Sequence, residues 1–101
     1  MKELQILAPD GTSRMIRLEG RRIILGRSST ADLTFPNDNG LSRQHLAIEY
    51  DGGGWSVSDL GSKNGTVLNG VKVAARTALK SGDRIRVGSS VLCFRERARR
   101  Q

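Results

Sequence analysis

The sequence predicts an all-β fold, a two-sheet β-sandwich of about eleven short strands with its ligand-binding loops at one end. Short stretches of alternating apolar and polar residues recur along the chain, as in strands that bury one face. Turn-forming residues separate nearly all of them, and the chain of 101 residues contains 12 glycines. Few stretches have the periodicity of a helix. Many short strands without intervening helices are typical of a sandwich.

The predicted strands follow one another closely, and a turn signal separates most neighbours. The strands are residues 4–7, 15–18, 22–25, 33–35, 46–50, 55–59, 66–68, 71–73, 84–87 and 91–95. The turn signals are Asp10-Gly11, 51–54, Asn64-Gly65, Asn69-Gly70 and 81–83. Their glycines and asparagines readily adopt the positive φ values that tight reversals require. We interpret Asn69-Gly70 as a hairpin turn.

Alternation along these strands also predicts which side chains form the core. The predicted inward residues are Ile6, Ile16, Leu18, Ile24, Leu46, Ile48, Trp55, Val57, Leu68, Ile85, Val87, Leu92 and Phe94. Aromatic residues make up only 4% of the chain, so Val, Ile and Leu must fill most of that space. The single Cys93 has no partner for an internal disulfide and is predicted to be a buried structural thiol, which fits a reducing, cytoplasmic setting.

The length and charge of the chain limit its domain organisation and its possible partners. We expect one domain over residues 1–95 and a basic flexible tail over 96–101, where three arginines fall in six residues. No apolar run approaches the roughly 20 residues that cross a bilayer, and the N-terminus lacks the apolar region of a signal peptide. We therefore expect a soluble chain and no membrane insertion. The formal charge of +7 suggests an acidic partner: nucleic acid, anionic lipid or a phosphorylated peptide.

Three polar loops hold more hydrogen-bond donors than simple turns need: residues 26–30, 40–45 and 61–66. Loops of a sandwich gather at its ends, so these three could form one concave site. Arg27 and Arg43 supply guanidinium groups, Lys63 an ammonium and Ser42 a hydroxyl, which together suit a phosphate. No nucleophile lies beside a suitable base, so we expect no enzymatic activity, no cofactor and no metal. His45, without other metal ligands nearby, is predicted to stabilise the Ser42 loop.

These residues resemble the forkhead-associated (FHA) family from about Leu4 to Phe94. The landmarks, in order, are Gly26-Arg27, Asp32-Leu33, 42–45, Trp55, 64–66, Asn69-Gly70 and Gly82-Asp83. The resemblance implies a β-sandwich whose loops bind a phosphothreonine peptide. It implies that Arg27 and the Ser42 hydroxyl contact the phosphate and that Arg43 flanks it.

On the third side of the phosphate, the resemblance implies Lys63 and Asn64, with Asn64 holding the peptide backbone. Lys63 departs from the small or polar residue that similar members often carry. The remaining matched residues are expected to shape the loops: Gly26, His45, Gly65, Thr66, Asn69 and Gly70.

The function predicted is phosphorylation-dependent binding of partner proteins in Ser/Thr kinase signalling. One alternative is an FHA-type scaffold that binds an unphosphorylated partner through a sheet face. A nucleic-acid-binding β-domain is the other, but exposed aromatics interleaved with basic residues, which stack on bases, are missing.

Overall fold

The computed structural model describes residues 2–8, 11–18 and 22–96, which form eleven β-strands and no helix. The strands are β1 Lys2–Leu7, β2 Ser13–Arg17, β3 Arg22–Gly26, β4 Leu33–Thr34, β5 Leu46–Tyr50, β6 Trp55–Asp59, β7 Val67–Leu68, β8 Val71–Lys72, β9 Thr77–Ala78, β10 Arg84–Val87 and β11 Ser90–Glu96. The predicted all-β class and strand number are confirmed. Only β9 was absent from the predicted strands, because two residues are too few to show alternation. This strand is defined by its pairing with β6.

Two sheets make up the sandwich. One has six strands in the order β2-β1-β11-β10-β7-β8, and the other has five in the order β4-β3-β5-β6-β9. All pairings are antiparallel except that of β3 with β4. Asn69 and Gly70 form the hairpin turn between β7 and β8, with φ values of 50° and 87°. Such left-handed values suit Asn-Gly turns and match the twist of the strands.

The core lies between the sheets and follows the predicted alternation on most strands. Phe94, Leu46 and Ile85, for example, are at most 2% exposed. Ile16 and Leu68 are only partly buried, but both pack against this core. Leu4, Leu41, Val73 and Leu79 join it as well, although the alternation did not single them out.

The prediction for Ile24 was wrong. Leu25 is the buried apolar side chain of β3 and Ile23 packs partly buried against the same core, because Leu25 pairs with Leu46, while Ile24 pairs with Ala47 on the other side of the sheet. Residues 23–25 are all apolar, so alternation could not decide which of them points inward. The pairing register of β3 with β5 makes that choice.

Cys93 is buried and free, as predicted for a structural thiol. Strand β11 continues through Glu96, one residue into the predicted tail. The rest of that tail, 97–101, lies outside the described residues, so the domain boundary stays a prediction. Within the described part of the chain, no helix is long and apolar enough to span a membrane.

Candidate functional site

The three donor-rich loops meet at one end of the five-stranded sheet, where β3 and β6 end and β5 begins. The loop after β3 lies directly against the loop before β5. The backbone N–H groups of Arg27 and Ser28 donate to the carbonyls of Ser42 and Arg43, each at 3.0 Å. At Gly26 an added Cβ would lie 2.0 Å from the Arg43 carbonyl oxygen, so only glycine allows this approach.

The loop between β6 and β7 closes the arrangement from the other side. The backbone N–H of Lys63 donates to the Ser42 hydroxyl oxygen at 3.0 Å. The Asn64 side-chain amide donates to the Gly40 carbonyl, also at 3.0 Å. These contacts join residues more than twenty positions apart. The structure therefore brings together all five residues that the sequence assigned to the binding site.

His45 connects two of these loops from beneath and is completely buried. Its Nδ1 accepts a hydrogen bond from the backbone N–H of Ser42 at 3.1 Å. Since that N–H can only donate, the ring hydrogen belongs on Nε2, which lies 2.9 Å from the carbonyl oxygen of Gly65. The hydrogen bond to Ser42 is the kind of contact expected if His45 stabilises the Ser42 loop, as predicted. The hydrogen bond to Gly65 ties the same ring to a second loop.

Asp59, at the end of β6, organises the third loop and was missed in the sequence. Its carboxylate accepts hydrogen bonds from the backbone and hydroxyl of Ser62, at 2.9 and 2.6 Å, and from the hydroxyl of buried Thr66 at 2.7 Å. The available signal was an acidic residue that ends a strand three positions before a serine.

The environment of Asp59 favours its charged form. Burial alone raises the pKa of this carboxyl. The hydrogen bonds from Ser62 and Thr66 lower it, as does the ring of His45, whose Nε2 lies 3.9 Å from the Asp59 Oδ1. The lowering contributions dominate, so the pKa of Asp59 lies below its ordinary value.

The solvent-facing side of the site consists of donors. Arg27 directs its Nε to the Leu41 carbonyl at 3.1 Å, which leaves its terminal nitrogens available. Arg27, Ser28 and Arg43 line a shallow pocket. Ser28, present in the predicted loop but not singled out there, is thus an additional candidate. Within the described residues, no carboxylate forms an ion pair with Arg27, Arg43 or Lys63. Such a surface suits an anion.

The family model of the FHA domain matches residues 23–88, more than half of the chain. The chain belongs to the FHA family. This confirms the resemblance, and FHA domains are interaction modules.

Relatives of this FHA domain occur in bacteria and plants. It is 40% identical over 86 residues to the FHA domain-containing protein FhaA of Mycobacterium tuberculosis, covering 85% of this chain and 16% of FhaA. It is 31% identical over 84 residues to FhaB of the same species, covering 83% of this chain and 54% of FhaB. An FHA domain-containing protein of Arabidopsis thaliana is 41% identical over 64 residues, covering 63% of this chain and 17% of that protein. The chain therefore spans only part of each of these relatives.

Solved structures agree with the fold. A structure described as an analysis of phosphothreonine-dependent FHA domain interactions superposes with a TM-score of 0.81 at 35% identity, covering 95% of this chain and 98% of that one. The FhaA FHA domain complexed with the intracellular domain of Rv3910 superposes with a TM-score of 0.81 at 37% identity, covering 94% of this chain and 100% of that one.

Two residues predicted to shape loops lie apart from the five donors of this FHA domain. Asn69 and Gly70 form the β7–β8 turn, and the side chain of Asn69 links that turn to the start of β10. It donates to Asp83 at 2.9 Å and accepts from the backbone N–H of Arg84 at 2.9 Å.

Among the described residues, no three His, Cys, Asp or Glu side chains are grouped to hold a metal ion.

Proposed function

We propose that this FHA domain binds phosphothreonine-containing segments of partner proteins and does not act as an enzyme. The observation that carries the proposal is the convergence of Arg27, Ser42 and Lys63 on one side of the molecule without a carboxylate partner among the described residues. A phosphate monoester carries about −1.5 to −2 charges at neutral pH and has three acceptor oxygens, which match these donors. The phosphothreonine-dependent interactions described for a structural neighbour support the same ligand.

Each donor in the site keeps hydrogen-bonding capacity for a ligand. Arg27 uses only its Nε internally, so its two terminal nitrogens can form a fork toward two phosphate oxygens. Ser42 accepts the N–H of Lys63 on its hydroxyl oxygen, which leaves the hydroxyl hydrogen free to donate to phosphate. Arg43 lies beside Arg27 in the same pocket and adds positive charge at the rim.

Asn64 has a different place in the proposal, since it is already anchored. One of its amide hydrogens is donated to the Gly40 carbonyl, while its exposed side chain keeps an oxygen and a second hydrogen that can bond a ligand. This pair of groups can bind one N–H and one carbonyl of an extended peptide backbone. Lys63 is exposed and adds attraction for the dianion without fixed geometry.

The biological setting follows from the ligand. A protein that reads phosphothreonine acts downstream of a Ser/Thr kinase, and we propose that this domain links phosphorylated partners in cytoplasmic signalling. The free, buried Cys93 is compatible with such a reducing environment. A nucleic-acid ligand is disfavoured, because Trp55 and Phe94 are buried in the core and cannot stack on bases.

The proposal is tested with an oriented peptide library that holds phosphothreonine at one fixed position, applied to the immobilised domain. We expect selective retention of phosphorylated peptides, and titration calorimetry of one selected peptide should show no measurable binding of its unphosphorylated form. Raising the salt concentration should weaken binding. Equal retention of phosphorylated and unphosphorylated libraries would contradict the proposed function.

A further inference from the structure

The outer face of the six-stranded sheet carries an excess of positive charge. Strand pairing places alternate residues of each strand on this face. Glu3 pairs with both Arg17 and Arg95. Arg86 pairs with Val67, which in turn pairs with Lys72. We call the five cations of this surface the basic face: Arg17, Lys72, Arg84, Arg86 and Arg95. All five are exposed, and Glu3 is the one acidic residue on this face among the strand side chains that the structure describes.

The other sheet shows that this excess is not a general property of the fold. On the outer face of the five-stranded sheet, the strand residues include one cation and one anion, Arg22 and Glu49, and the two approach to 3.7 Å. On the basic face, by contrast, no described carboxylate forms an ion pair with Lys72, Arg84 or Arg86. Like charges at neighbouring positions repel one another, so this arrangement costs stability in the free domain.

We propose that the basic face is a second docking surface and that its occupant is an extended acidic protein segment. Arg84 and Arg86 are alternate residues of β10, so they lie about 7 Å apart along the strand, on the same face. Asp or Glu residues at alternate positions of an extended segment repeat at the same distance on one side. Charge complementarity and spacing therefore match along the strand.

The chemistry between the cations favours a protein segment over nucleic acid. A depression in this face is lined by Glu3, Met15, Arg84, Cys93 and Arg95, together with Ser81 and Gly82. Met15 is 46% exposed, so apolar surface lies beside the arginines and can receive an apolar side chain. No aromatic residue of the described strands points from this face, so bases have no stacking platform.

The part of the basic face around Arg84 is separate from the proposed phosphothreonine site, whereas the side chain of Lys72 lies beside Gly65 in the loop between β6 and β7. Arg84 is the first residue of β10. The turn after the other end of β10 contacts the loop before β5, where the backbone N–H of Ser89 donates to the Asp38 carboxylate at 2.9 Å. The phosphothreonine loops thus lie near the far end of β10 from Arg84. One domain could therefore hold a phosphorylated segment at its loops and an acidic segment on its sheet at the same time.

The test uses the whole chain and a fluorescein-labelled peptide of alternating Glu and Val, which contains no residue that a kinase modifies. Fluorescence anisotropy at low salt should show binding that an excess of phosphothreonine peptide does not displace. The double variant Arg84→Glu/Arg86→Glu should weaken it about tenfold, from two exposed ion pairs lost and replaced by repulsion. The same variant should bind phosphothreonine peptide as the wild type does.

Matched single variants provide the control, and they also serve if the double variant does not fold. Arg86→Gln should weaken binding of the acidic peptide several-fold, while Arg22→Gln, the same change on the other sheet, should leave it unchanged. Equal effects of these two variants would overturn the proposal, as would displacement by phosphothreonine peptide. Tighter binding of a single-stranded oligonucleotide of equal net charge would overturn it in favour of a nucleic-acid surface.

Discussion

Replacing Arg27 by alanine tests the centre of the proposed site. The two terminal nitrogens of its guanidinium would each donate to a charged phosphate oxygen, and such bonds contribute about 1.5–3 kcal/mol each. Because the side chain is exposed, solvent screening reduces the sum. We expect a loss of about 2–4 kcal/mol, which corresponds to roughly 30- to 1,000-fold in Kd. Titration calorimetry with one phosphothreonine peptide at fixed salt measures it.

The fold should survive this change. Its structural cost is one hydrogen bond from Nε to the Leu41 carbonyl, about 0.5–1.5 kcal/mol, which a thermal melt resolves. Arg27→Lys keeps the charge but cannot hold Leu41 and present a fork together, so its affinity should lie between those of alanine variant and wild type. Arg22→Ala, at the other end of β3, is the matched control and should bind normally. A folded Arg27→Ala variant that binds within about twofold of wild type would refute this role.

Three further predictions concern the loops and the ligand. His45→Ala should lower the unfolding free energy by about 1–3 kcal/mol, seen in denaturant melts, because two loops lose a buried hydrogen-bond partner; unchanged stability with abolished binding would instead indicate direct contact with the ligand. Since the pKa of Asp59 is lowered on folding, its contribution is present above its unfolded pKa of about 4 and is lost as pH falls through the lower folded value. Asp59→Asn should therefore be less stable at pH 7 and lose less stability than wild type on acidification below about pH 4, whereas parallel curves would contradict this. Phosphothreonine should bind about tenfold more tightly than phosphoserine in matched peptides, since the methyl group adds buried surface and stiffens the side chain; equal affinities would show that the domain reads the phosphate alone.

Much of the fold could be predicted because its signals are local. Alternation and turn residues identify strands such as β5 and β6 to the residue, and Asn69-Gly70 encodes its own hairpin through left-handed φ values. Where local signals are degenerate, prediction failed. The apolar run 23–25 left the inward residue of β3 undecided, and β9 has no pattern of its own.

The candidate site, like the fold, was predictable from the sequence only in part. The sequence alone determined which donors are available, Arg27, Ser42, Arg43, Lys63 and Asn64, because residue type dictates hydrogen-bonding chemistry and the motif order indicates the family. It did not single out Asp59, whose importance comes from three hydrogen bonds that it accepts from the loop folded back over it. It also could not show that the five cations of the basic face gather on one side of the sheet.

Only the tertiary structure decided which of these groups meet. Ser42 and Lys63 are far apart in the chain, yet they are joined by a hydrogen bond, and Gly26 permits a backbone approach that no side chain would allow. Likewise, Lys72, Arg84 and Arg86 share one surface because strand pairing puts them in register. Side-chain chemistry is a property of each residue, whereas charge density and hydrogen-bond geometry depend on distances between residues, and those distances exist only after the sheets have paired and packed.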